Sequence, residues 1–322
     1  MQDMKNIYNI SEVYKNYMDI NFEYYKIFYF AAKYGNVTKA ATALGSSQPN
    51  VTRVLRLLET QLDCRLFVRE ARGISLTGPG EQLYAHVEAA CRQLLNAQEA
   101  LCHPNADGCG TVELGATETA LHLFLLDALS GFRTDYPAIR IRIHNHTTPE
   151  TLKQLVNGRL DFAVLTTPFE PPNACSCVDV LHFREILVGG AHYAGLCEHP
   201  LSLAKIRRYP WIGLGRESAT YRLYRDFFIA RGIDPEPDME VATSDLMLPL
   251  IESNLGIGFV PEKPALPLLQ EKRLVHIRLD CDTPTRALQI VSDKERPKSP
   301  AARMLYDYLT RTAGAGLTPK HI

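Results

Sequence analysis

The stretch NVTKAATALGSSQPNVTRVLRLLETQL, residues 36–62, decides the reading of the N-terminal part of the chain. Val37, Ala40, Ala41 and Leu44 fall at i, i+3, i+4 and i+7, one apolar stripe of helical period. Asn36 is the natural N-cap of that helix and Gly45 its stop, while the alanines leave room for another helix to cross closely. Ser46 or Ser47 then caps a second helix that carries Pro49 in its first turn. Val51, Val54, Leu55, Leu58 and Leu62 share the inner face of this helix, and Pro49, Arg53, Arg56 and Thr60 point the other way at about 100° per residue. Two short helices joined by a tight turn, the second with a basic outer face, form a unit that lays its second helix in the major groove of DNA. A solvated amphipathic helix would show a similar face, but the paired helix and the short turn favour the DNA reading.

The elements around this core complete a three-helix unit with a wing. Phe22 to Tyr34 reads as a helix whose Phe22, Tyr25, Phe28, Tyr29 and Ala32 cover the other two. After Leu62, the apolar run Leu66, Phe67 and Val68 reads as a strand, Arg69, Arg72 and Gly73 as a basic turn, and Ile74 and Leu76 as a returning strand. This hairpin is suited to phosphate or minor-groove contact. From Pro79 a long helix carries Leu83, Val87, Ala90, Leu94, Ala97 and Leu101 at alternating spacings of four and three, the seam of a coiled coil. At about 1.5 Å per residue it spans roughly 34 Å, enough to hold two such units side by side. HPNADGCG, residues 103–110, breaks this helix and reads as a hinge.

Composition bounds the function classes. The chain has 322 residues, 46% hydrophobic and 22% charged, with a formal net charge of −1, which is ordinary for a globular protein of two or three domains. Between Lys26 and Gly80, eight Lys and Arg face only Glu59, Asp63 and Glu70, a local excess suited to nucleic acid. The remainder is mildly acidic, so its partner is expected not to be DNA. The eight cysteines include no CxxC pair, and no His spacing suggests zinc, so no metal or cofactor is expected. Without a signal peptide or a long apolar run, a cytosolic, membrane-free location with reduced thiols is expected. Cys197, between His192 and His199, leaves a redox-sensing reading open. Residues 1–17 read as a poorly ordered extension, and Met18 is an alternative start to Met1.

The segment from Tyr25 to Leu101 resembles the N-terminal domain of the LysR-type transcriptional regulators. The resemblance rests on Ala40 with Ala41, Ser47 to Pro49, Thr52 with Arg53, Leu58 with Glu59, Leu66 and Phe67 with Arg69, and Leu76 and Thr77 with Gly80. Asp63 stands where the family often has Gly, Leu57 where it often has a basic residue, and Val54 where it often has a polar one. The resemblance implies double-stranded DNA, RNA polymerase, a small-molecule effector and further copies of the chain as partners, the assembly being a dimer or tetramer. Contacts to DNA would come from Thr38, Ser47, Gln48, Pro49, Asn50, Thr52, Arg53, Arg56, Arg69 and Arg72. The seam residues would serve dimerisation.

The remaining residues read independently as α/β. Strands VELGA, IRIRIH and DFAVL alternate with a helix opening at Thr117 and another after TTPE, which offers a capping box at 147–150. A second set comprises EILVG, WIGL, a helix through Tyr221 to Ile229, MEVAT, a helix from Ser244 to Asn254 and IGFV; RALQIVS and a helix from Ala301 to Leu309 close the chain. Two lobes are expected, residues 111–182 with 285–312 and residues 183–284, followed by a tail at 313–322. The overall expectation is a winged helix-turn-helix (18–78), a linker helix (79–102), and a two-lobed effector domain of the kind seen in periplasmic binding proteins (111–312).

Ligands in open α/β sheets lie at the carboxyl ends of strands, where helix N-termini gather. Thr117, Glu118, Thr119, Thr147, Thr166, Arg216, Ser218, Thr220 and Ser244 are therefore the expected effector residues. Arg216 or Arg222 would favour a carboxylate and Glu118 an amino group, pointing to a small organic acid or an amino acid. A solute-binding protein would share the two lobes but needs an export signal and no helix-turn-helix. An enzyme would use the cleft for chemistry, yet no Gly-rich phosphate loop, metal cluster or nucleophile motif is present.

Overall fold

A computed structural model describes residues 20–70, 73–102, 109–234 and 236–316. The expected extension at 1–17, Arg72 and most of the expected hinge lie outside them. The chain forms two compact units, Met1–Cys102 and His103–Ile322.

In the first unit, α1 (Phe22–Tyr34), α2 (Val37–Ala43) and α3 (Gln48–Gln61) pack around Phe28, Ala40, Val51 and Leu58, all fully buried. Asn36 caps α2 by accepting from the Thr38 and Lys39 amides. Phe22 departs from expectation: it is 82% exposed, because the inward face of α1 runs through Ile27, Phe28 and Ala31, half a turn away from it. Strands β1 (Phe67–Glu70) and β2 (Gly73–Leu76) form an antiparallel hairpin with Phe67 opposite Leu76.

The motif residues have physical roles at the junctions of these elements. Glu59 Oε1 accepts from the Leu66 and Phe67 amides at 2.8 and 3.2 Å, tying the end of α3 to the wing. Thr77 Oγ1 donates to the Arg65 carbonyl at 2.6 Å and accepts from the Gly80 amide at 3.1 Å. A Cβ on Gly80 would lie 2.2 Å from the Leu66 carbonyl oxygen, so only glycine permits that approach. Asp63 has a φ of 49°, the left-handed conformation that Asp tolerates better than most residues and Gly best.

The linker helix α4 (Gly78–Cys102) begins one residue before the expected Pro79. The expected seam divides. Val87 is buried in the core of the three-helix unit and Leu83 packs against it, beside Tyr84 and Cys91. These two side chains face their own subunit because the first turns of α4 lie across α1. Ala90, Leu94 and Ala97 are exposed, Leu94 to 63%. The side chain of Leu101 lies outside the described residues.

The second unit is built on one curled sheet whose strands lie in the order Leu274–His276 (β10), Cys175–Gly190 (β6), Thr285–Asp293 (β11), Phe162–Thr166 (β5), Gly110–Ala116 (β3) and Ile139–His144 (β4), with Ile257–Pro261 (β9) also pairing β6. Strands β3 (Gly110–Ala116), β4 (Ile139–His144) and β5 (Phe162–Thr166) are parallel. They alternate with helices: α5 (Glu118–Ala120) runs through a π-turn at Leu121–Leu125 into α6 (Leu126–Asp135), and α7 (Thr148–Val156) follows β4. Strand β3 starts at Gly110, so that residue belongs to the sheet and not to the hinge.

Strand β6 (Cys175–Gly190) and strand β11 (Thr285–Asp293) run antiparallel from Cys175 opposite Asp293 to Arg184 opposite Thr285, with a register shift at Leu288/Gln289. Beyond Arg184, β6 enters a second lobe and pairs there with β9 (Ile257–Pro261) and β10 (Leu274–His276). Alternate residues of its end face two cores. Leu187 meets Trp211, Phe228 and Phe259, while Ile186 and Val188 meet Ile212, Ile251 and Val260. A parallel pair, β7 (Ile212–Leu214) and β8 (Met239–Val241), together with α8 (Ala219–Ile229), α9 (Met247–Glu252) and α10 (Glu262–Gln270), completes this lobe. The closing helix α11 (Pro300–Gly316) packs Leu305 and Leu309 onto the first lobe. Ala313 is buried as well, so the helix continues past 312 and the expected tail starts later.

Candidate DNA-reading helix and ligand cleft

Helix α3 presents its polar face as the sequence pattern requires. Ser47, Gln48, Pro49, Arg53 and Arg56 are exposed, with Asn50 and Thr52 half-buried and Thr38 exposed on α2. Ser47 caps α3 by accepting from the Asn50 amide, and Thr52 Oγ1 donates back to the Gln48 carbonyl at 3.0 Å. Asn50 Nδ2 donates to Ser46 Oγ at 3.1 Å, while its Oδ1 accepts from Arg53 Nη2 at 3.0 Å. The Arg53 guanidinium is thus held before any ligand arrives, which lowers the entropy lost on contact.

Leu57 is half-buried one turn beyond Arg53, on the flank shared by Arg53, Arg56 and Thr60. Val54 is turned into the core, so no polar group is lost from the outer face there. Between α3 and the wing runs an open groove of about 490 Å³ lined by Thr52, Arg56, Arg65 and Arg69. Arg65 was not among the expected DNA contacts; it follows the helix, and only the fold of the wing brings it beside Arg56. The acidic residue in the groove, Glu59, is committed to the wing amides.

In the second unit the ends of β3, β4 and β5 face the N-terminal turn of α8 and the segment Ala242 to Ser244 before α9 across a cleft of about 210 Å³. Thr117, Glu118, Thr119, Thr147 and Thr166 line it from one lobe, and Ser218, Thr220 and Ser244 from the other. Thr117 Oγ1 lies 2.9 Å from Thr166 Oγ1, and Thr119 Oγ1 lies 3.5 Å from Ser244 Oγ across the cleft. Ser218 caps α8 by accepting from the Tyr221 amide at 3.0 Å. Asn145 Nδ2 donates to Glu118 Oε1 at 2.6 Å.

Two expectations fail here. The capping box at 147–150 does not close: Thr147 makes no capping bond, and Glu150 accepts from Gln154 instead. Arg216 is not among the cleft-lining residues, because its Nη2 pairs with Glu236 at 2.8 Å on the exposed surface. Arg222 is exposed and also outside the lining.

The arginine in the cleft is Arg286, at the start of β11 and 3% exposed. Its Nε donates to the Thr167 carbonyl at 2.7 Å and its Nη1 to Glu185 Oε1 at 2.7 Å. Tyr224 donates its hydroxyl to the other oxygen of Glu185. Burial first, and then the Glu185 carboxylate, hold the Tyr224 phenol well above its usual range, and its ring stacks on Phe259 at 4.3 Å. Sequence reading missed this arginine because its strand, RALQIVS, reads as core, and a buried arginine in it is legible only once Glu185 and the cleft are known. Cys197 is half-buried in a 3₁₀ turn, and burial pushes its thiol up, away from the thiolate that redox sensing needs.

Among the described residues, no group of His, Cys, Asp and Glu is arranged to hold a metal ion, and no helix is long and apolar enough to cross a membrane.

Comparison with known proteins bears on both units. Residues 22–81 match the family model described as bacterial regulatory helix-turn-helix protein, lysR family. Residues 105–314 match the LysR substrate binding domain. The chain is 26% identical over 245 residues to the HTH-type transcriptional regulator GltR of Bacillus subtilis, covering 75% of this chain and 80% of that protein. The crystal structure of CbnR, a LysR family transcriptional regulator, is similar with a TM-score of 0.64 at 20% identity, covering 91% of this chain and 99% of that one. Full-length CbnR complexed with its target DNA is similar with a TM-score of 0.52 at 20% identity, covering 91% of this chain and 100% of that one.

Proposed function

The chain belongs to the LysR family of bacterial transcriptional regulators, and from that premise we propose that two copies read the half-sites of an interrupted palindrome in cytosolic DNA, under control of a small-molecule effector. The observation that carries the DNA part is the outer face of α3, where Arg53 is oriented by Asn50 and no acidic side chain intervenes. Arg53, Gln48, Asn50 and Thr52 read base edges. Thr38, Ser47, Pro49, Arg56, Arg69 and Arg72 hold the phosphates or pack on the backbone, and Arg65 joins them.

The exposed part of the α4 seam, Ala90, Leu94 and Ala97, with Leu101 beyond it, pairs with its copy to set the spacing of the half-sites. Leu83 and Val87 contribute by fixing α4 to the three-helix unit. The dimer associates further into a tetramer and acts on RNA polymerase at the promoter. The effector, a small organic acid or amino acid, occupies the cleft between the lobes of residues 111–182 with 285–312 and 183–284. Its occupancy shifts the protein between two DNA-bound arrangements through a difference in affinity for them.

Sequencing the DNA that copurifies with the protein tests the first part. A shared dyad of two half-sites about one helical turn apart, or a multiple of it, is expected; recovery of random fragments would refute it. A thermal-shift screen of small acids and amino acids tests the second.

A further inference from the structure

The buried guanidinium at the base of the cleft carries an inference about ligand chemistry that rests on the reading of this cleft as the effector site. A fully satisfied buried ion pair needs no opening. Arg286 has one: Nε and Nη1 are taken by the Thr167 carbonyl and by Glu185, while Nη2 has no protein partner among the described residues and the residue borders the cavity. Glu185, which neutralises Arg286, is itself 3% exposed and bonded by Tyr224, so the guanidinium cannot rotate away without leaving a buried carboxylate unpaired. An arginine with two of its N–H edges held, at the border of a polar cleft, can donate to one more oxygen, and a carboxylate is the strongest small acceptor for it.

A bare acid does not complete the charge pattern. The charged side chains lining the cleft are Arg286 and Glu118, with His146 as the titratable neighbour. Arg286 is already balanced by Glu185, and among the described residues Glu118 is bonded only by the neutral amide of Asn145. An added anion would therefore leave two negative groups in one small cavity. A ligand with both a carboxylate and an ammonium group leaves one, and gives each wall its counter-ion. The strand order β11-β5-β3-β4 places the two groups on either side of the threonine row formed by Thr117 and Thr166, which supplies neutral hydrogen bonds between them.

We propose that the cleft takes a small zwitterionic amino acid, its carboxylate received by Arg286 Nη2 and its ammonium by Glu118, with Glu185 and Tyr224 as positioning residues for the guanidinium. The test is a thermal-shift and calorimetric screen of the full chain against the common L-amino acids and the series glycine, β-alanine, 4-aminobutyrate and 5-aminovalerate. Each responder is compared with its amide, which lacks the carboxylate, and its N-acetyl form, which lacks the ammonium. At least one amino acid should bind, with the amide and the N-acetyl form each weaker by about tenfold or more.

Arg286→Gln should erase the preference for acid over amide, and Glu118→Gln the preference for free amine over N-acetyl. Because Arg286→Gln strands Glu185, the double variant Arg286→Gln with Glu185→Gln removes both buried charges and must show the same loss of preference. Failure of every amino acid to bind overturns the proposal, as does an amide or N-acetyl form that binds equally well, or an acid preference that survives in the double variant. If polyols or dicarboxylates bind instead and Thr117→Val with Ser244→Ala abolishes that binding, the zwitterion is refuted while the cleft reading stands. If those compounds bind unchanged in that variant, both fall.

Discussion

Replacing Glu59 with Ala should unfold the DNA-reading unit more easily while leaving the other unit untouched. In the native protein one carboxylate oxygen accepts from two amides, those of Leu66 and Phe67, and Leu66 is almost fully buried. Hydrogen bonds to a charged group contribute about 1.5–3 kcal/mol, and a buried amide left without a partner costs about 1–3 kcal/mol. The Leu66 amide gains no solvent in exchange, whereas the half-buried Phe67 amide recovers part of its loss from water, so a destabilisation of about 2–3 kcal/mol is expected. With a urea slope of about 1–2 kcal/mol per molar for a unit of this size, the midpoint should fall by about 1–3 M.

The chain carries its own control. Its single tryptophan, Trp211, lies in the second unit against Phe228 and Phe259. Urea titration followed by far-UV circular dichroism should show an early transition moved by the substitution, and tryptophan fluorescence a transition that stays where it was. Glu59→Gln, which keeps an acceptor but loses the charge, should fall between. A circular-dichroism midpoint within error of the wild type would refute the claim that this carboxylate anchors the wing; a shift in the Trp211 transition would refute its confinement to the first unit.

Other expectations follow from the same contacts. Arg53→Ala should relax sequence preference at one base step by about 1–3 kcal/mol in binding-site selection, whereas Arg65→Ala should weaken binding alike on all sequences and lower the slope of log affinity against log salt by about one. Leu94→Glu should reduce self-association in analytical ultracentrifugation without lowering the stability of the three-helix unit. Val87→Ala should do the reverse, costing about 1–3 kcal/mol through a cavity in that unit. Tyr224 is held protonated in the folded state, so its folded pKa exceeds the unfolded one. The stability it confers is therefore present below about pH 10 and lost as pH rises through the folded value. Tyr224→Phe should remove that part of the alkaline loss in pH-dependent denaturation, and at neutral pH should cost about 1–3 kcal/mol by leaving a Glu185 oxygen without its donor.

The helix-turn-helix was legible because each of its signals is local. Asn36, Ser47 and Pro49 mark helix starts, and a stripe of helical period marks each inner face. Phe22 misled because it is spaced from Tyr25 like a stripe residue, while the inward face of α1 runs through Ile27, Phe28 and Ala31, half a turn away from it. The linker seam misled differently: four-and-three spacing does not say which subunit an apolar side chain meets, and Leu83 and Val87 meet their own. In the second unit the strand and helix alternation was visible, but α10 was not, because Pro264 and Pro267 interrupt its pattern. Of the apolar residues Leu121, Phe124, Leu125 and Leu129 that mark this helix in the sequence, Leu125 is fully buried and the other three pack at the core's edge; the π-turn at Leu121–Leu125 adds Leu123 and Ala128 to the buried face.

The cleft loops were readable as strand ends rich in hydroxyls. Arg286 was not, since its role is fixed by Glu185, Thr167 and the cavity wall, none of which is near it in sequence. Arg216 stood at the right turn and points out of it, drawn by Glu236. Local rules place backbones well and long charged side chains poorly, because the latter are settled by whichever counter-charge the tertiary fold supplies.

The antiparallel ladder of β6 and β11 also governs the order in which the chain can be assembled during synthesis. The strand β11 lies between β5 and β6, yet it is made after the whole segment 191–284 that forms the rest of the second lobe. Until Asp293 has left the ribosome, β5 and the first half of β6 are open edges, and until Gly316 has followed, the hydrophobic face that α11 covers is bare. The last strand and helix therefore act as the closing stitch of the first lobe. A chain ending before Thr285 would present two unpaired edges suited to pairing with other nascent chains.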